Sequence, residues 1–247
     1  MKKQMLHRPY IAVRTDSGRI SYGGDQSWLS TAEERSFGCG LIGAADILRY
    51  LRGKQELEKP AKGTGFLTEA LQSVAAFAGT AVGKQEYLEE VETLGKEFRI
   101  RGKLGITGFG LARRMNRVFR RERLPYRAKW SIGRRRLEKR LPEMLEADIP
   151  VLLSVGPGFF HKGQSLALYR RKEDGRYERV NSMRDHYVTV TGQLRAESVQ
   201  GIEAGEVLLR ISSWGEEFYI RFDEYMDHVK KYDNFLFSSI LYIRRRG

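Results

Sequence analysis

The sequence predicts an α+β protein, with helices in its first half and strands in its second. Three observations carry this. Apolar residues recur at helical spacing through residues 41–119. From residue 126 onward they alternate or run together in short stretches punctuated by turns. A hydrophobic content of 41% over 247 residues is enough to bury one large core. We read residues 1–247 as a single domain, with a mainly helical lobe at about 22–125, a β-rich lobe at about 126–245 and a cleft between them.

Taken in order, residues 9–14 and 20–22 read as short strands, Gly23-Gly24-Asp25 as a turn, and 27–36 as a loop. The run Ser36-Phe37-Gly38-Cys39-Gly40 then opens a helix. Its Leu41, Ala44, Ala45, Leu48 and Leu51 share one apolar face. Residues 53–65 read as an exposed loop, and an alanine-rich apolar pattern resumes over 66–82. Residues 85–98 form a charged helix. Thr107 is placed to cap another, whose stripe is Leu111, Met115, Val118 and Phe119.

The second half begins with a strand at 126–130 and a helix at 134–147. Strands follow at 150–155, 166–169, 177–181, 186–191, 207–212 and 217–222. A short helix at 223–231, with Asp223 as its cap, precedes a last strand at 235–243.

Composition narrows the function. One cysteine excludes an intramolecular disulfide and any multi-cysteine zinc site. No run reads as a signal peptide or a membrane span, so a soluble, cytoplasmic protein without a membrane partner is expected. The net charge of +13 invites a nucleic-acid or acidic partner. No zinc finger or RNA-binding aromatic motif accompanies the arginine clusters, so we read them as solvated faces.

Cys39 is the chemically suggestive residue. Glycines flank it at a helix start, where unpaired N–H groups and the helix dipole favour a thiolate. Buried, inert cysteine is the alternative. A nucleophile needs a base. Of the four histidines, His186 heads the alternating strand His186-Tyr187-Val188-Thr189-Val190-Thr191-Gly192, and His161 is the second candidate. A further strand ends at the corner Ser212-Ser213-Trp214-Gly215.

Together these three segments resemble papain-like cysteine peptidases, which pair a glycine-flanked nucleophile with His-x-Val-x-Val-x-Gly and Asn-Ser-Trp-Gly strands. Their order agrees, and the spacing from Cys39 to His186 falls within the roughly 130–150 residues of that arrangement. The Cys-Gly helix start is also similar to peptidases that remove double-glycine leaders from bacteriocins.

The resemblance implies a papain-like fold and a thiol hydrolase with no cofactor or metal, acting on a peptide or protein substrate that is acidic if the basic surface attracts it. It implies Cys39 as nucleophile, His186 as base and Ser212 as orienting residue in place of the family's Asn. Glu33 stands at the oxyanion glutamine position, which passes that role to Gln26. Gly38, Gly40, Trp28 and Trp214 are expected to line the substrate site. Two alternatives stand beside this reading: a catalytically impaired binding protein of the same fold, and a basic nucleic-acid-binding protein.

Overall fold

The computed structural model describes residues 3–58, 81–98, 100, 105–156, 164–196 and 204–246. The apolar pattern expected over 66–82 lies almost wholly outside these residues, and His161 lies outside them entirely. Among the described residues the chain is mixed α and β. Its strands are β1 (Gln4–Met5), β2 (Ala12–Arg14), β3 (Ile20–Tyr22), β4 (Val82–Gly83), β5 (Tyr126–Ser131), β6 (Val151–Val155), β7 (Leu166–Arg171), β8 (Tyr177–Met183), β9 (His186–Arg195), β10 (Val207–Ser213), β11 (Glu216–Arg221) and β12 (Ile240–Arg245). Its helices are α1 (Ala32–Phe37), α2 (Cys39–Leu57), α3 (Lys84–Phe98), α4 (Gly108–Arg121), α5 (Arg134–Glu146) and α6 (Phe222–Tyr232).

The large sheet is antiparallel and ordered β5-β12-β6-β9-β10-β11-β7-β8, with β1 added onto β9. A small sheet, β3-β2-β4, sits beside it. One contiguous core runs from α2, α3 and α4 into β6, β9, β10 and β12, so helices and sheet share a single interior.

Helix α2 is the centre of that interior. The sequence suggests one buried stripe, but nearly every residue from Gly40 to Leu51 is buried, as befits a helix enclosed on all sides. Close packing on the sheet needs its glycines. A Cβ on Gly40 would lie 3.2 Å from the Tyr187 ring, and one on Gly43 would collide with Leu152. The side chains of Tyr187 and Thr189 therefore face α2.

Several boundaries differ from expectation. Helix α2 runs on to Leu57, through the first residues of the expected loop at 53–65, and the last strand begins at Ile240 rather than at 235. Residues 27–36 are not a loop: α1 occupies 32–37, with a capping box in which Thr31 Oγ1 accepts from Glu34 N and Glu34 reaches back to Thr31 N. Asp223 does not cap α6; it lies in the first turn, where its charge still complements the dipole. At the sheet's end, Asn116 of α4 donates to Ala128 O at 2.7 Å and accepts from Ala128 N at 2.8 Å, binding the outer side of β5. Among the described residues no helix is long and apolar enough to cross a membrane.

Candidate active site

Cys39 is the first residue of α2, with Gly38 as its N-cap. His186 is the first residue of β9. Both line one small cavity together with Gln26, Ile42, Asp46, Ser213 and Trp214, among others. The cavity holds about 20 Å³, room for about one water molecule. Where an extended cleft between two lobes is expected, the space is small but open to solvent, and Cys39 at its edge is partly exposed.

His186 is buried and held on two sides. Its Nε2 pairs with Ser213 Oγ at 2.8 Å. Its ring stacks on Trp214 with centroids 4.6 Å apart and planes 17° from parallel. Trp214 and Gly215 form the two-residue turn between β10 and β11, and both have positive φ, the I′ pattern that suits a hairpin. For a tryptophan that conformation is strained. Asp185, just before His186, is also left-handed at φ 50°. Two left-handed residues therefore flank the imidazole, of which Trp214 is the strained one, as is common where side chains are pre-positioned.

The orienting residue needs correction. Ser212 does not reach His186: its Oγ donates to the Tyr22 carbonyl at 2.6 Å. Neighbouring residues of a strand point to opposite faces, so when Ser212 faces the N-terminal segment, Ser213 takes the imidazole. The serine in contact with the imidazole is thus one position beyond the one that the motif picks out.

Gln26 does line the cavity, and its Nε2 donates to the Arg35 carbonyl at 2.8 Å. An amide nitrogen carries two N–H groups, so one remains for another acceptor. Trp214 lines the cavity as expected, but Trp28 does not. Trp28 packs edge-on to Tyr87 at 6.2 Å, with the Lys84 ammonium over its ring. Gly38 and Gly40 also fall outside the lining: Gly38 packs against the Glu34 carbonyl and Leu29, and Gly40 against Tyr187.

The electrostatics differ from the thiolate expected at a helix start. Cys39 keeps part of its surface exposed, but the atoms packed around its sulfur raise the thiol above its ordinary value, and Asp185 adds to this; the backbone amides of Tyr187, Gly40 and Cys39 pull the other way without winning. Burial lowers His186 to about 4. Near neutral pH the resting site therefore holds a thiol and a neutral imidazole rather than an ion pair. The helix dipole is a surface-strength effect, and desolvation in so small a space outweighs it. Among the described residues no hydrogen bond joins the Cys39 sulfur to His186.

Asp46 forms the floor, two turns along α2 from Cys39. It is 1% exposed and accepts from Tyr10 Oη at 2.9 Å, from Tyr87 Oη at 2.7 Å and from the Gly24 amide at 3.2 Å. Burial nevertheless raises its carboxyl to about 6. The sequence signal was present: a lone acid on the buried face of an apolar helix needs donors from elsewhere in the chain. Among the described residues no cluster of His, Cys, Asp and Glu could hold a metal ion.

Comparisons with protein-family models, curated proteins and solved structures find no match.

Proposed function

We propose that this chain is a papain-like thiol hydrolase that cleaves a peptide or amide bond through a Cys39–His186 acyl-enzyme. The observation that supports this most is that Cys39, His186 and Trp214 line one cavity while Ser213 holds the imidazole. In the reactive tautomer His186 donates its Nε2 proton to Ser213, leaving the Nδ1 lone pair as base. With both groups neutral, proton transfer accompanies attack: the thiol proton passes to Nδ1 as sulfur adds to the carbonyl carbon. The imidazolium then protonates the departing amine, leaving a thioester. Water, deprotonated by the same nitrogen, hydrolyses it and restores the thiol. The free Gln26 N–H and the Cys39 amide are the candidate oxyanion donors.

A second reading is a binding protein that keeps the site's architecture. The raised thiol and the tight cavity favour it. Alkylation of the single thiol by iodoacetamide separates the two. If His186 is the base, His186→Gln slows labelling at pH 7 by about tenfold or more. Equal rates in both proteins, rising only as the thiol itself ionises at alkaline pH, overturn the hydrolase reading.

A further inference from the structure

A second cleft lies at the opposite end of α4 from the candidate active site. The N-terminal part of α4 touches α2, with Leu111 beside Gly40. Nine residues along, about 14 Å at the helical rise, the C-terminal part borders a cleft of about 490 Å³ lined by Asn116, Arg120, Arg127, Arg244 and Arg246. All four arginines are exposed. Arg127 and Arg244 are direct partners across the β5–β12 ladder, an arrangement of like charges that costs stability. The Arg246 amide donates to the Pro125 carbonyl at 2.7 Å, fixing that end of the chain over the cleft.

Among the described residues these arginines have no carboxylate partner. The neighbouring acids are already taken: Glu58 pairs with Arg245, Glu97 with Arg121, and Glu122 with Arg52 and Arg121. The lining also offers no aromatic or aliphatic wall, so an apolar peptide side chain finds no partner here. What the cleft offers is guanidinium forks converging on one space.

We infer that this cleft binds a phosphate-dense anion, a group carrying two or more linked phosphoryl units. A carboxylate would neutralise one of the four charges and fill one fork. Phosphoryl groups bring more charge and more acceptor oxygens per unit volume, and arginine matches them in bidentate geometry. The anion relieves the Arg127–Arg244 repulsion, so site and ligand are complementary. The inference is independent of the hydrolase proposal, because the two sites share no lining residue. Linked phosphates come from a free oligophosphate or nucleotide, or from a nucleic-acid strand.

The test is titration calorimetry at low ionic strength with three probes: tripolyphosphate, a ten-nucleotide single strand and polyglutamate. The expected result is saturable binding of tripolyphosphate or of the strand, weakened at least about tenfold in the double variant Arg127→Gln/Arg244→Gln. Arg176→Gln, on a hairpin arginine that pairs with Asp174, should change binding by less than about twofold. Tripolyphosphate bound at least as tightly as the strand identifies a free ligand; the strand alone identifies a backbone. Removing opposed charges should leave the thermal midpoint unchanged or higher, which guards against loss of fold. No binding, tighter binding of polyglutamate, or equal weakening by Arg176→Gln overturns the inference.

Discussion

His186→Gln is expected to lower kcat/KM for hydrolysis of p-nitrophenyl acetate by about 10²–10⁴-fold, the usual contribution of a positioned base. Cys39→Ala should abolish the thiol-dependent reaction, and mass spectrometry should find the acetyl group on Cys39 in the unmodified protein. The adjacent serines then discriminate between the two possible orienting residues. Ser213 Oγ is hydrogen-bonded to His186 Nε2, whereas Ser212 is committed to the Tyr22 carbonyl. Ser213→Ala should cost about tenfold and alter the pH–rate profile, with Ser213→Thr restoring much of the rate because it keeps a hydroxyl. Ser212→Ala should leave the profile's shape unchanged. If the effects are reversed, His186 adopts a different arrangement when it works. If His186→Gln hydrolyses the ester normally, the imidazole is not the base.

The second large effect concerns stability against pH, where two buried groups oppose one another. His186 is depressed to about 4 from 6.5. Its contribution to stability is therefore complete above pH 6.5 and is lost as pH falls through 4. Asp46 is raised to about 6 from 3.8. Its contribution is complete below pH 3.8 and is lost as pH rises through 6. Each is worth on the order of 3 kcal/mol across its window, since one unit is about 1.4 kcal/mol.

Between pH 4 and 6.5 the two slopes largely cancel. Asp46→Asn should leave the His186 slope exposed, so that stability falls on acidification by about 3 kcal/mol more than in the parent. His186→Gln should do the reverse and gain relative stability on acidification. Urea midpoints at pH 4.5, 5.5, 6.5 and 7.5 read this directly. Asp148, Glu122 and His228 also titrate under acid, but their contributions are common to all three proteins. Parallel curves for parent and both variants would refute the opposition. Asp46→Ala has a further cost, because it strips the Tyr10 and Tyr87 hydroxyls and the Gly24 amide of their shared acceptor. About 3–5 kcal/mol is expected in the same unfolding assay.

The sequence made some of this legible and not the rest, for identifiable reasons. Period and capping are local properties, so α2, α3, α4 and most strands of the large sheet could be read from spacing alone. The Thr107 cap forms as expected, its Oγ1 accepting from Gly110 N at 3.2 Å. The pairing Thr31/Glu34 was equally local, but it sits in a helix that buries no side chain and so carries no apolar stripe. The likelihood of a shared site could be read from the order of Cys39, His186 and the Trp-Gly corner. Which serine faces the imidazole could not, because strand register decides it and a shift of one residue reverses every side chain. The protonation state was hidden for a different reason. It depends on desolvation, which only the three-dimensional packing of α2 on β9 creates.

The two ends of the large sheet escape the hazard of open strands by different means. At β5, Asn116 offers the backbone an amide donor and acceptor in place of another strand. At β8 the outward residues include Glu178 and Arg179, which a second sheet would have to strip of water. Strand recruitment is therefore opposed at one margin where the Ala128 backbone groups are already bonded, and at the other by the hydration of charged side chains.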